Sequence, residues 1–440
     1  MAILLIRNGR VLDPAQGLDR VRDLWLEDGC VQPDGFSAPK ADELIEATGM
    51  LVMPGFVDAH VHLREPGNEA AETIESGCAA ALAGGYTHIV CMPNTTPAID
   101  RPEVVRQVID KAEKLNGPYV HAMPAITLGR AGKTLSDLSA LNIHPVTGFT
   151  DDGNGLEDEE LARQAMAFCA RETLTFAEHC EYRRVSAGGV MHAGPAAARL
   201  GLKGYPPEAE TAMVERDIRL CEETGAHVHF QHLSAASSVQ LVREAKRRGV
   251  KVTAEVTPHH LTLTDEDAAR GGPNFKMNPP LRSEADRQAL VEALREGVID
   301  MIATDHAPHT PESKAKSFAG APFGVIGMET AAAVIWTRLV MTGLLSPLQM
   351  ADRMSVAPMK AFRLANPGLP AVGGAFGDQG WLKPHFRCNA VLFDPNARWT
   401  VNPEEFRSRS RNCPFAGWEL NGRVVATIVD GQVKHRDNLR

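Results

Sequence analysis

Two histidines stand one residue apart in DAHVHLREPG, residues Asp58–Gly67. In an extended strand, side chains alternate between faces, so His60 and His62 project to the same side. They follow the apolar run Leu51–Val57, where paired imidazoles are costly to bury without a partner. A metal ion is the simplest partner. Four more apolar runs end in ligand-type residues: Thr150-Asp151-Asp152-Gly153, Glu178-His179-Cys180, Gln231-His232-Leu233 and Thr304-Asp305-His306. Four imidazoles (His60, His62, His179, His232) and two carboxylates (Asp152, Asp305) suit two divalent cations of zinc type with an anionic group between them. One such histidine alone is more often a packed or solvated residue. Five strand ends carrying the right chemistry are hard to explain as packing.

The elements that must position these groups follow an alternating pattern. Strand candidates are Phe56–Leu63, Thr87–Met92, Tyr119–Ile126, Pro145–Asp151, Leu174–His179, His227–His232, Lys251–Val256 and Asp300–Asp305. Between them lie amphipathic stretches such as Glu103–Leu115, Glu157–Arg171, Glu208–Glu223, Ser237–Arg248 and Ser283–Glu296. Ser283 with Asp286 marks a helix start, and Gly249 and Gly297 mark helix ends. This order predicts an α/β protein built on a (β/α)₈ TIM barrel over residues 55–365. Barrel enzymes keep their chemistry at the C-terminal ends of the strands, where the ligand-type residues lie. The flanks, 1–54 and 366–440, hold short alternating runs with turn signals at Asn8-Gly9, Asp28-Gly29 and Asp430-Gly431. They are expected to pair into one small β-sandwich domain made from both termini. Leu364–His385, rich in Gly and Pro, reads as irregular chain. The Gly-rich Phe318–Gly327 has the composition of a lid.

Bulk properties exclude several classes. The 440 residues are 44% hydrophobic and 23% charged, with a net charge of −9 and the two signs interspersed. No basic stripe points to nucleic acid, and no polybasic segment points to a membrane surface. The N-terminus reads as a strand rather than a signal peptide, and no apolar run approaches the roughly 20 residues of a membrane span. Eight scattered cysteines without a CxxC pair suit a reducing cytoplasm. Of the sixteen histidines, His227 and His229 are expected to face the helices, by parity opposite to His232.

DAHVHLREPG, MPNTTPAID, GFTDDG, AEHCE, HLS, KMNPPLR, ATDHAPH and APFGVIGMET together resemble the class I dihydroorotases of the amidohydrolase superfamily, over nearly the whole chain. The resemblance implies a distorted (β/α)₈ barrel with a small β-domain, two Zn²⁺ per subunit, and reversible hydrolysis of (S)-dihydroorotate to N-carbamoyl-L-aspartate in pyrimidine biosynthesis. It implies that His60, His62 and Asp305 hold one metal, that His179 and His232 hold the other, and that an aspartate bridges them. Many relatives bridge with a carboxylated lysine, but this chain has none between Lys133 and Lys203. By spacing to His179 the bridge falls on Asp152, with its neighbour Asp151 as the alternative.

On the substrate side, Arg64 follows the HxH pair by two residues and is read on the same face, where a guanidinium matches a carboxylate. A surface ion pair with Glu65 or Glu69 is the competing reading. The resemblance adds Asn94 and His309 around that carboxylate, and Asn278 with the Phe323–Gly324 backbone on the ring. It makes Asp305 the catalytic proton carrier. Asp58 either orients a ligand histidine or caps the strand. The competing activities are another cyclic amidase, a hydantoinase or allantoinase, and an inactive homologue that scaffolds aspartate transcarbamoylase. A homodimer and a transcarbamoylase complex are the assemblies the resemblance leaves open.

Overall fold

The structure, a computed structural model, describes residues 2–364 and 382–437. Eight parallel barrel strands run Phe56–Val61, Tyr86–Cys91, Tyr119–Ala122, Gly148–Phe149, Thr175–Glu178, His227–Phe230, Val252–Val256 and Met301–Ile302. The first three form one ladder and the last five another. Parallel bridges Ala122–Val146 and Val61–His306 join the two and close the barrel. All eight expected strands are present, but most end earlier than expected, so several ligand-type residues lie just past the ladder. Inside, Val57, Ala59, Val90, Met92, Met123, Ala177, Met301 and Ala303 pack with Met359 and Phe362 from the chain beyond the last strand.

The helices lie where the spacing predicts. Ser283 caps Glu284–Glu296, its Oγ accepting from the Asp286 N–H at 3.2 Å, and Gly297 ends that helix at φ 81°. Glycine takes this left-handed closing position without the steric cost that a side chain would add.

Both termini build one eight-stranded sheet. Ala390–Thr400 lies antiparallel to Leu51–Pro54, which in turn pairs parallel with Ile3–Asp13. Alternation along these strands buries one face: Ile6, Leu24, Val52, Ala390, Leu392, Ala426 and Ile428 share a separate core. Asp28-Gly29 and Asp430-Gly431 are turns, as their sequence predicts. Asn8-Gly9 is not. It lies within Ile3–Asp13, where Asn8 takes φ 60° and the register with Leu18–Glu27 shifts between Ile6 and Gly9, so the pair makes a bulge. The irregular stretch expected at Leu364–His385 falls mostly on residues 365–381, outside the described residues, as does the domain boundary drawn there. Among the described residues no helix is long and apolar enough to cross a membrane.

Candidate metal centre

His60 is the only one of the six ligand-type residues inside a ladder. His62, Asp152, His179, His232 and Asp305 all follow the last residue of their strands. The chain turns sharply there: Arg64, His232 and Asp305 have φ of 60°, 30° and 47°. Such left-handed backbone costs of order 1–3 kcal/mol at a non-glycine residue and persists where the surroundings impose it. One constraint is visible. Asp58 braces the first strand against the eighth, its carboxylate accepting from the Thr304 N–H at 3.0 Å, the Thr304 hydroxyl at 2.5 Å and the His60 N–H at 3.2 Å. Complete burial pushes its pKa up to about 7 despite these bonds. It is therefore a strand-to-strand brace that touches the backbone of a histidine, not its ring.

The six side chains converge. His62 Nε2 is 2.9 Å from Asp305 Oδ1, and His60 Nε2 lies 3.3 Å from Asp152 Oδ1 and 3.6 Å from Asp305 Oδ1. Asp152 Oδ1 is also 3.7 Å from both His179 Nδ1 and His232 Nε2, while its Oδ2 is 3.7 Å from His62 Nε2. His179 Nδ1 and His232 Nε2 are 3.0 Å apart. All six are buried. His60, Asp152 and His232 form one grouping of metal-ligand geometry, and His60, His62 and Asp305 another. Asp152 thus sits among all four imidazoles. Asp151 turns away, accepting from the Thr127 N–H at 3.0 Å and from the Thr127 hydroxyl.

The electrostatics match a cation site. Burial alone would raise the pKa of Asp152, but charge on His60 and the close approach of the His179, His232 and His60 rings hold it well below the carboxylate range. Asp305 is brought down to about 2 against the same desolvation, chiefly by its bond to His62 and the His60 charge. Burial disfavours a charged His60, yet Asp152 and Glu255 lift it well above the usual value. His60 Nε2 has no hydrogen-bond partner although fully buried. A buried nitrogen facing two carboxylates, without a bond of its own, fits a divalent cation with N/O ligands.

Three of the four imidazoles are anchored by their second nitrogen. His60 Nδ1 is 2.7 Å from Glu255 Oε1, His62 Nδ1 is 2.7 Å from Asn94 Oδ1, and His179 Nε2 is 3.3 Å from Glu181 Oε2. Such contacts fix the tautomer and leave the inward nitrogen's lone pair free.

The remaining expected residues surround the cluster. Arg64 is buried and donates from Nε to the Pro308 carbonyl at 3.0 Å. Desolvation lowers its pKa to about 10, with Asp305 and Asp152 opposing. Glu65 instead pairs with Lys111, and Glu69 accepts from the Gly67 N–H, so neither occupies the guanidinium. Asn278 Nδ2 lies 2.9 Å from Glu181 Oε2 and 3.1 Å from His179 Nε2, and its Oδ1 is buried without a partner. His309 Nε2 lies 2.6 Å from the Phe323 carbonyl, and burial pushes this ring down to about 3, so it is neutral. Gly324 takes φ 128° beside it. Lys276 and Lys314 donate to the carbonyls of Ala319, Ala321 and Pro322, tying down the loop that carries Phe323.

A buried metal-ligand cluster at the mouth of a barrel occurs in many hydrolases, and similarity narrows the field. The family described as dihydro-orotase-like matches residues 49–238. A protein named dihydroorotase from Pelotomaculum thermopropionicum is 44% identical over 438 residues, covering 99% of each chain. The chain belongs to the dihydroorotase family. Another member, from Geobacillus sp., is 42% identical over 98% of both chains. Among solved structures, L-hydantoinase from Arthrobacter aurescens superposes with a TM-score of 0.85 at 24% identity, covering 98% of this chain and 96% of that one. A D-hydantoinase from Thermus sp. gives 0.80 at 26% identity, over 99% and 95%. Dihydroorotases and hydantoinases therefore share this fold.

Sequence reasoning left Glu255, Glu181 and His229 without roles. Glu255 carried a readable signal: a carboxylate in the middle of an apolar barrel strand must have a partner. His229 was expected to face the helices, together with His227. Both instead face inward, meeting Thr253 at 2.9 Å, and His229 also meets Glu255. The parity count failed because it started from His232, which lies beyond the end of its strand at Phe230.

Proposed function

We propose that the protein is a dihydroorotase, a cyclic amide hydrolase that interconverts (S)-dihydroorotate and N-carbamoyl-L-aspartate with two zinc ions per subunit. The observation that carries this reading is the gathering of six buried ligand-type side chains, Asp152 among them, within a member of the family. His60, His62 and Asp305 would hold one cation, His179 and His232 the other, with Asp152 shared. When bound, such a pair supplies Lewis acidity at the scissile carbonyl and a water that ionises near neutral pH.

The chain's own residues do the rest. Arg64, already desolvated, pairs with the substrate carboxylate and fixes the ring's orientation. Asn94 turns its Oδ1 to His62, which leaves its amide N–H groups for the same carboxylate, with His309 beside it. Asn278 and the Phe323–Gly324 backbone bracket the ring. Asp305 accepts the proton from the attacking water and delivers it to the departing ring nitrogen. In ring closure it takes that proton from the carbamoyl nitrogen and returns it to the leaving oxygen.

Turnover of dihydroorotate against hydantoin and allantoin, each with zinc present, tests the substrate class. Faster hydrolysis of hydantoin would overturn it in favour of a hydantoinase. Asp305→Asn should keep the fold and most of the metal while abolishing turnover, and near-normal activity would remove the proton-carrier role. A purified chain that binds no zinc would favour the transcarbamoylase scaffold. Eight free thiols suit a reducing cytoplasm. Sizing of the chain alone and with aspartate transcarbamoylase checks for a homodimer and for the complex.

A further inference from the structure

The barrel interior contains a line of polar groups that the reaction does not use. Glu255 is fully buried. Its Oε1 faces His60 Nδ1 at 2.7 Å and accepts from the His232 N–H at 3.2 Å, so one oxygen touches two ligand residues from different strands. Its Oε2 faces His229 Nε2 at 3.0 Å. His229 Nδ1 is 2.9 Å from Thr253 Oγ1, which is 2.9 Å from His227 Nε2. His227 Nδ1 then lies 3.1 Å from Thr175 Oγ1.

With His60 neutral, as a metal ligand must be, these contacts admit one self-consistent arrangement of hydrogens. An ionised carboxylate only accepts, so His60 donates from Nδ1 and His229 from Nε2. His229 Nδ1 is then an acceptor and takes the Thr253 hydroxyl proton. Thr253 Oγ1 accepts in turn from His227 Nε2–H, and His227 Nδ1 takes the Thr175 hydroxyl proton. Burial keeps His227 neutral, with a pKa pushed down to about 3. Every donor in the line points toward Glu255, and aligned hydrogen bonds reinforce one another. Barrel interiors are ordinarily filled by branched apolar side chains, so this polar line has an energetic cost that function must offset.

We propose that Thr175, His227, Thr253, His229 and Glu255 form a buried positioning relay that locks His60 in the tautomer with its Nε2 lone pair free, and so sets how tightly the protein holds its metal. None of the five touches substrate. The proposal rests on the metal-centre reading above.

The test measures zinc affinity directly, by competition with a chromogenic chelator, for wild type, Glu255→Gln and Thr253→Val. Circular dichroism checks that each variant is folded. Glu255→Gln should weaken zinc binding about 10- to 100-fold. Thr253→Val keeps the side-chain shape but leaves His229 Nδ1 without its donor, and should shift affinity several-fold the same way. At saturating zinc, Thr253→Val should keep the wild-type KM for dihydroorotate. Nitrogen-15 NMR of the histidines should place the His60 proton on Nδ1 in wild type and show both tautomers in Thr253→Val. Wild-type affinity and an unchanged His60 tautomer in folded Thr253→Val would overturn the relay. The metal-centre reading fails separately, if His60→Ala binds zinc as well as wild type does. Should Glu255→Gln not fold, the Thr253→Val comparison still decides.

Discussion

Gly324 sits where even a methyl group would collide with its neighbours. An alanine Cβ there would lie 2.8 Å from Ala307 Cβ, 2.9 Å from His309 Nε2 and 3.0 Å from the Ala307 carbonyl oxygen, at φ 128°. The Ala307 backbone is held: its N–H bonds the Val325 carbonyl at 2.8 Å, and its carbonyl accepts from Asn412 Nδ2 at 3.1 Å. The His309 ring is the part that can move. Moving it breaks its 2.6 Å contact with the Phe323 carbonyl. Overpacking costs about 1–3 kcal/mol, and positive-φ strain adds about 1–3 kcal/mol. Part of that sum appears as lost stability and part as a displaced His309. Each ~1.4 kcal/mol missing from the substrate complex is tenfold. Gly324→Ala should therefore lower kcat/KM for dihydroorotate about 10- to 100-fold, mainly through KM. Zinc content should not change, because no ligand moves. The assay is steady-state hydrolysis of dihydroorotate alongside a thermal melt and metal analysis. Wild-type kcat/KM with a lowered melting temperature would refute the placement of this loop against substrate, and so would loss of metal.

Other perturbations separate the roles of neighbouring groups. Asp152→Asn should lose most bound zinc, whereas Asp151→Asn should keep it and lower the melting temperature, because Asp151 holds Thr127; metal analysis and melts of both variants decide. Arg64→Met removes the charged donor proposed to face the substrate carboxylate, a loss of about 1.5–3 kcal/mol, so KM should rise about 10- to 100-fold with metal retained; an unchanged KM would contradict the assignment. Burial raises the pKa of Glu329 from 4.5 to about 7. Its protonated form is the one favoured in the fold, so its stabilisation is complete below pH 4.5 and is lost as pH rises through 7. Between these limits wild type should lose at most about 3 kcal/mol relative to Glu329→Gln, seen as a narrowing difference in melting temperature; parallel curves across that range would contradict it.

The candidate metal ligands were legible because each is a residue type that apolar strand ends rarely carry without reason. The alternation rule that found His60 and His62 stopped working one or two residues later. Arg64, His232 and Asp305 lie in left-handed backbone beyond their ladders, where no parity holds. Arg64 does reach the site, but through a turn rather than along a strand face. The same lapse placed His229 among the helices, when it belongs to the interior beside Glu255. Asn8-Gly9 shows a related limit. Its dipeptide has the chemistry of a tight turn, yet pairing on both sides continues through it, and the positive φ is absorbed as a bulge. Asn278, His309 and Gly324, proposed to meet substrate, had no periodic signal of their own and came only with the family resemblance. Their surroundings are set by long-range contacts such as Asn278 with Glu181, which no local pattern encodes.

The proposed function requires a pair of cations held around Asp152. Crystals of the protein grown with zinc, measured on both sides of the zinc absorption edge, test it most directly. The expected result is two anomalous peaks, one bound by His60, His62 and Asp305 and the other by His179 and His232, with Asp152 touching both. Zinc bound elsewhere, with His60, His179 and Asp305 free of metal, would contradict it.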